Sequence, residues 1–372
     1  MEDLAGYRKK IDEIDLQLIP LFERRMDVVR EVARYKKTRG IPVLQQDREH
    51  VVLEKAVARL RDHGYATEAE QFMNAVMAIS RAAQRRDIGE APPREAAPLP
   101  GKVGYYGAPG SFSEQALADY FGEERERVAC AEFEDVFTAL RDGKIDYGVL
   151  PIENSSTGAI TRVYDLLGSY GFFIVGERRL RIHQNLVGPE GASVETVRTV
   201  YSHEQGLEQS RRFLAEHPGW EQAVFHSTAE SARFVASSGD VSKAAIASAR
   251  AAALYGLKVI VPAIENSCHN ATRFIVVGRA LAPAGADKVS LAFSLDNESG
   301  TLYNTLRHFA ERRINLVKIE SRPIPEELWS YRFYLDFEGD VDSDDVRGVL
   351  ADISTGAKDF RMLGAYKSDR DR

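Results

Sequence analysis

Residues 89–101 read Gly-Glu-Ala-Pro-Pro-Arg-Glu-Ala-Ala-Pro-Leu-Pro-Gly, and four of the chain's fourteen prolines fall inside them. Such a composition cannot build a core and favours stiff, extended backbone, so it marks a linker between domains. Before it, over 1–88, apolar residues recur every seven positions at Leu4, Ile11, Leu18 and Val32 and at Tyr7, Ile14, Leu21, Val28 and Tyr35. That period predicts one long helix ending near Gly40 and Pro42, kinked at Pro20. Asp47 is placed to cap a second helix running to Gly64, and Thr67 with Glu70 makes a capping box for a third reaching about Arg86. After the linker the pattern changes. Short apolar runs at 103–106, 147–151, 172–176, 199–201, 244–247, 258–261 and 274–277 alternate with helical stretches at 134–142, 203–216 and 228–237. This predicts an α/β domain over 102–280 with a largely parallel sheet. Beyond the break at 283–287, strands at 289–295, 315–320, 331–337 and 360–366 and helices at 299–312 and 343–353 follow the order βαββαβ. That is a small ferredoxin-like α+β unit over 288–367.

The totals agree with a multi-domain reading. At about 150 residues per domain, 372 residues make two or three domains. Lys and Arg number 49 against 56 Asp and Glu, and residues 1–88 hold 17 basic and 15 acidic residues, so no segment has the positive excess that nucleic acid requires. The start, Met1-Glu2-Asp3-Leu4, lacks a basic region followed by an apolar one, and no run of eighteen apolar residues occurs. A cytoplasmic protein with no membrane partner is expected. Cys130 and Cys268, far apart, offer neither a disulfide framework nor a zinc site. Gly104-Tyr-Tyr-Gly-Ala-Pro-Gly110 has GxxGxxG spacing, and Pro109 removes an amide donor, which argues against a nicotinamide or flavin cofactor. No cofactor or metal is expected.

In the helical domain two cations break the pattern. Arg25 occupies the heptad position otherwise held by Leu4, Ile11, Leu18 and Val32, so its guanidinium needs a partner. Lys36, eleven residues on, lies about 20° round the helix and roughly 16 Å along it, so the two side chains can converge on a small dianion. Ser80 and Gln84 continue the stripe of Met73 and Met77. A structural arginine paired inside the bundle, with Lys36 reaching to water, is the alternative. The set Arg8, Arg25, Lys36, Arg48-Glu49, Ser80 and Gln84 on three helices resembles the all-helical chorismate mutases. The resemblance implies an intertwined dimer in which Arg8 reaches the partner's pocket. It implies that Arg8 and Arg25 hold the two carboxylates of chorismate, with Arg48 ordering the site. Lys36 and Gln84 would meet the ether oxygen whose bond breaks, and Glu49 and Ser80 the substrate hydroxyl and nearby groups. Gln45 stands where that family often has an acidic residue and is placed among the substrate contacts. A Claisen rearrangement needs no nucleophile or cofactor, only a held reactive conformer and donors aimed at the growing negative charge.

In the α/β domain, hydroxyl and amide residues gather at strand-to-helix turns: Ser111 and Ser113, Asn154-Ser155-Ser156-Thr157, Ser202 and Ser248. Helix N-termini bind carboxylates, although each residue could equally be a simple cap. Thr272 opens an apolar strand, where a threonine is ordinarily structural. Four segments, GAPGSFSEQ at 107–115, PIENSSTGAI at 151–160, SHEQGLEQ at 202–209 and NATRF at 270–274, in this order and spacing, resemble prephenate dehydratase. The resemblance implies two subdomains closing on a cleft like periplasmic-type binding proteins. Thr272 would protonate the departing hydroxide, while Asn154, Ser202 and Gln209 orient prephenate. Ser202 and Gln209, seven apart, would share one helix face. Aromatisation drives the loss of carbon dioxide and water, so modest acid catalysis with desolvation suffices. The glycine loop's order is similar to that of the arogenate-using plant relatives, which leaves arogenate open as the substrate.

In the last unit, Gly300-Thr301-Leu302 and Glu320-Ser321-Arg322 are similar to the paired motifs of the ACT regulatory domain. The resemblance implies that phenylalanine, the effector, binds at a dimer interface of these units, with Arg322 linking the strand to its neighbour. The leading expectation is a homodimeric or larger bifunctional enzyme turning chorismate into prephenate and then phenylpyruvate under phenylalanine control. Two alternatives stand beside it: a dehydratase with a non-catalytic helical dimerisation arm, and a non-catalytic sensor of aromatic acids.

Overall fold

The computed structural model describes residues 4–39, 46–66, 101–282, 285–324 and 330–369, with 68–69, 72–73, 76–77, 79–80 and 83–84 between them. Two compact units result, Met1–Pro93 and Arg94–Arg372. The proline-rich stretch up to 100, Gln45, Thr67 and Glu70 lie outside the described residues, as do the side chains of Asp47, Arg48 and Glu49.

In the first unit α1 runs Leu4–Arg39 and carries on through Pro20. An internal proline costs about 3 kcal/mol by deleting one hydrogen bond and crowding the carbonyl four residues back, yet it does not end this helix. Helix α2 spans Gln46–Ala58, a 3-10 turn follows at His63–Tyr65, and the described residues of 66–84 are helical and form α3. The heptad seam read from sequence is not what this chain buries. Ile11, Ile14, Leu18, Leu21, Val28 and Val32 are exposed, Val32 least at 38% and Ile14 most at 62%. The buried row is Val29, Ala33 and Lys36, one residue or about 100° round from the seam, set with Val76, Met77, Ser80, Ala83 and Gln84 of α3.

The second unit holds two lobes and a C-terminal module. The first lobe comprises β1 (Val103–Tyr106), α4 (Phe112–Phe121), β2 (Arg127–Cys130), α5 (Phe133–Arg141), β3 (Tyr147–Asn154), β4 (Gly158–Ala159), α6 (Thr161–Tyr170) and β5 (Phe173–Arg181). The chain then crosses to the second lobe: β6 (Asn185–Gly188), β7 (Thr199–Ser202), α7 (Glu204–Gln209), α8 (Arg211–Ala215), β8 (Glu221–Val224), α9 (Thr228–Ser238), β9 (Lys243–Ala247), α10 (Ala249–Leu254) and β10 (Lys258–Val261). It returns as β11 (Ala271–Gly278). The module is β12 (Lys288–Leu295), α11 (Thr301–Glu311), β13 (Leu316–Pro323), β14 (Tyr331–Glu338), α12 (Asp344–Gly356) and β15 (Lys358–Tyr366), the βαββαβ order expected.

The sheets are mixed rather than largely parallel. β1 is parallel to β2 and β3, but β11 is antiparallel to both β3 and β5. The cause is the double crossing. β3 ends beside the cleft at Asn154, paired with Thr272, and β11 starts there on its way back from the second lobe. β6 likewise enters its five-stranded sheet antiparallel to β9 and β10.

The module continues the first lobe's sheet. β15 lies parallel to β5 through Gly364 and Ile174, giving the order β13-β14-β12-β15-β5-β11-β3-β1-β2. One apolar cluster combines Leu150, Leu167, Ile174 and Ile275 with Ala292, Tyr334, Leu363 and Tyr366 of the module. Arg361 of β15 donates to the carbonyls of Leu167, Gly168 and Phe172 at 2.9, 2.9 and 3.0 Å, satisfying the orphan end of α6. Burial pushes that guanidinium down to about 10. Glycine at 364 is dictated by proximity, since a Cβ there would sit 2.2 Å from the Ile174 carbonyl oxygen. Gly364→Ala should therefore destabilise the second unit by about 1–3 kcal/mol, read as a lower denaturant midpoint.

Candidate active sites

In the first unit, α1 and α3 bring four of the sequence-derived residues to one row. Arg25 Nη1 donates to Ser80 Oγ, which in turn donates to the Val76 carbonyl at 2.6 Å. Partial burial lowers the Arg25 guanidinium. Lys36 and Gln84 are each 8% exposed, and Gln84 Oε1 has no hydrogen-bond partner among the described residues. A buried amide oxygen left unsatisfied is costly, and such groups collect where a ligand completes them. Arg8 is exposed on α1, away from this row.

In the second unit the site is a chain of amides where the two crossings meet. Asn154 Nδ2, at the end of β3, donates to Thr272 Oγ1 and to Asn270 Oδ1, both at 2.9 Å. Asn270 Nδ2 donates to Gln209 Oε1 at 3.0 Å, and Gln184 Nε2 donates to the same oxygen at 3.1 Å. The Gln209 side-chain oxygen thus accepts twice, and the residue lines the cleft. Asn154 Oδ1 is itself held by the amides of Ser156 and Thr157 at 2.9 and 3.2 Å, which locks the amide's orientation. Gln209 and Asn270 line a cavity of about 960 Å3 shared by Ser156 and Thr157 of the first lobe and His203 and Gln205 of the second.

The lobes are clasped around this cavity. Gln205 Nε2 donates to Thr157 Oγ1 at 3.1 Å, Ser248 Oγ to the Gly110 carbonyl at 3.0 Å and Tyr255 to the Pro109 carbonyl at 2.8 Å. Arg250 reaches Glu123 at 2.8 and 3.0 Å. The glycine loop thus packs against α10, and Gly110, at φ +87°, has no room for a Cβ, which would meet Ala251 Cα at 3.0 Å.

Several serines turn out to be structural. Ser111 and Ser248 cap α4 and α10, and Ser227 caps α9. Ser113 is 5% exposed. Ser202 is fully buried and donates to the Ile246 carbonyl at 2.9 Å. The two-turn spacing of Ser202 and Gln209 does not apply, because Ser202 ends β7, His203 caps α7 and the helical stretch breaks at Ser210. Sequence reasoning quoted Asn270 without a role and missed Gln184, whose one signal was a polar residue between apolar runs.

In the module Gly300 caps α11 at φ +90°. Thr301 Oγ1 donates to the carbonyls of Asp296 and Glu298, each at 3.0 Å, and pins that turn, while Leu302 packs on the module core. The pairing Leu295 to Tyr331 to Pro323 brings Glu320, Ser321 and Arg322 to the same end of the sheet as the Gly300 turn. Arg322 Nη2 lies 3.5 Å from Asp165 of α6, so within this chain it links the module to the first lobe. Among the described residues no cluster could hold a metal ion, and no helix is long and apolar enough to cross a membrane.

Family models place chorismate mutase type II on residues 7–85 and prephenate dehydratase on 103–281. A bifunctional chorismate mutase/prephenate dehydratase from Neisseria gonorrhoeae is 32% identical over 98% of this chain and 97% of its own length. The chain belongs to this bifunctional family. As a member it is an enzyme twice over, an isomerase in its first unit and a lyase in its second. Among solved structures, the prephenate dehydratase from Arthrobacter aurescens in complex with L-Phe is 30% identical, covers 72% of this chain and 90% of its own, and has a TM-score of 0.66. The quorum-quenching acylase GqqA is 28% identical over 72% of this chain and 98% of its own, also at 0.66. A shared fold hosts different reactions, so the reaction must be read from the site.

Proposed function

We propose that Thr272 is the proton donor of the dehydratase. The observation that carries this is the Asn154 amide donating to Thr272 Oγ1, which leaves the hydroxyl hydrogen as the group's free donor. Prephenate lies in the cleft with its C4 hydroxyl against Thr272. The bond to the ring carboxylate breaks, its electron pair moves into the ring, and the C–O bond breaks at the other end. Carbon dioxide leaves, and the departing hydroxide takes the proton passed from Thr272 and restored from solvent. Gln209 and Asn154 fix the ring, and Ser202 supports the turn into α7.

In the first unit, Arg25 binds a carboxylate of chorismate, Ser80 holds Arg25 and faces the hydroxyl, and Lys36 and Gln84 meet the ether oxygen. Arg48, Glu49 and Gln45 complete the pocket. The exposed apolar stripe of α1 is the face a second copy covers, carrying Arg8 into the neighbouring pocket; contiguous exposed apolar faces mark interaction surfaces. The module is an ACT domain that binds phenylalanine between copies near Gly300, Thr301, Leu302, Glu320, Ser321 and Arg322. The Arthrobacter aurescens relative's L-Phe complex supports the ligand.

One experiment separates the alternatives. Given chorismate alone, the purified chain should accumulate prephenate and then phenylpyruvate, and added phenylalanine should slow the second step. Chorismate left intact while added prephenate is consumed would reduce the first unit to a dimerisation arm. No turnover of either would leave a sensor.

A further inference from the structure

Thr272 and Arg273 are consecutive on β11, so their side chains leave opposite faces of the sheet. Each has a partner on β3, Asn154 for Thr272 and Glu153 for Arg273, and a bulge follows immediately at Arg273/Phe274. Bulges re-aim the side chains beside them. On the face away from the cleft, Arg273 is 5% exposed and enters a cluster built mostly by the C-terminal module. Its Nε lies 2.5 Å from Glu153, its Nη1 3.1 Å from Glu177 and its Nη2 2.8 Å from Asp336 of β14. Lys288 of β12 contacts Glu177 at 2.7 Å and Asp336 at 3.9 Å, and Lys318 of β13 pairs with Glu153. Ser290 donates to Asp336 Oδ1 at 2.6 Å and meets the Tyr366 hydroxyl at 2.9 Å. Three cations face three carboxylates, Arg273, Lys288 and Lys318 against Glu153, Glu177 and Asp336, so the cluster is neutral as a whole.

The pairing is close but not fully hydrogen-bonded. Arg273 Nε and Asp336 Oδ2 are buried without an aligned partner. The guanidinium is held by its Nη1 hydrogen bonds to Glu177 and Tyr366 and by the charge of Asp336, and both Tyr366 and Asp336 belong to module strands. Arg273 and Thr272 share one peptide unit beside the bulge, so a backbone displacement at Arg273 is passed to Thr272.

We propose that Asp336, in the C-terminal module, is a positioning residue for the dehydratase reaction, acting through Arg273 to aim the Thr272 hydroxyl at the leaving group. This rests on Thr272 being the donor, and the test keeps the two apart. In the full chain, Asp336→Asn removes the charge and keeps the shape, and prephenate kcat should fall roughly ten- to a hundredfold with KM within about twofold. Asp336→Glu should recover part of the loss, and Asp336→Asn should cost little more when added to Arg273→Gln, since both cut one link. Ser290→Ala, which loosens the carboxylate without changing its charge, should lower kcat by about two- to fivefold and serves if Asp336→Asn does not fold. Wild-type kcat in folded Asp336→Asn, or in Ser290→Ala alone when Asp336→Asn does not fold, overturns the positioning role. Equal losses in kcat/KM through KM would also overturn it. Full turnover in Thr272→Ala would instead remove the donor on which it rests.

Discussion

Thr272→Ala should lower prephenate turnover by about a hundred- to a thousandfold, the usual weight of a positioned proton donor. The binding amides remain, so KM should change little, and the loss belongs to kcat. Thr272→Ser keeps the hydroxyl that Asn154 holds at 2.9 Å and should stay within about tenfold of the parent. Chorismate consumption should be untouched in both, because the mutase residues belong to the other unit. Steady-state assays on the two substrates separately read all of this. Near-parental prephenate turnover in Thr272→Ala would place the donor elsewhere in the cleft.

Lys36→Ala carries the second large effect, on the other reaction. In the Claisen step negative charge grows on the ether oxygen, and a fixed donor in a water-poor site is worth about a hundred- to a thousandfold in rate. Lys36 and Gln84 are each 8% exposed, and Gln84 Oε1 lacks a hydrogen-bond partner among the described residues, so the water-poor surroundings that amplify such a donor are present. Lys36→Gln should fall between the two, keeping a donor and losing the charge. Added prephenate should be consumed at the parental rate, which separates a lost mutase from an unfolded chain.

What the sequence made legible follows from where each signal is local. The seven-residue period found α1, and the alternation of 289–295 and the apolar run at 274–277 found β12 and β11, because each element's pattern lies within its own residues. Which stripe of α1 is buried was not legible. The two apolar rows of that helix are exposed, while Val29, Ala33 and Lys36, on the face from which Arg25 reaches Ser80 of α3, are buried, and that choice depends on how the helices pack. The largely parallel sheet failed for a topological reason, since strand direction in β11 depends on a crossing made about ninety residues earlier. At the dehydratase site Thr272, Asn154 and Gln209 came from motif order, whereas Gln184 and the carboxylates around Arg273 are brought together only by folding. Ser202 shows the converse, a residue chosen by its motif whose hydroxyl is spent on the Ile246 carbonyl.

The junction at Gly364 and Ile174 also governs how the protein behaves in a crowded solution. Two separate sheets would present four outer strands, while the joined one ends only at β13 and β2. A chain cut before 288 would strip the cover from β5, a nine-residue strand, and from the apolar surface of Leu167 and Ile174 beside it. Bare edges of that kind recruit strands from other molecules. The C-terminal module thus also closes a strand edge that would otherwise be open to pairing with strands of other molecules.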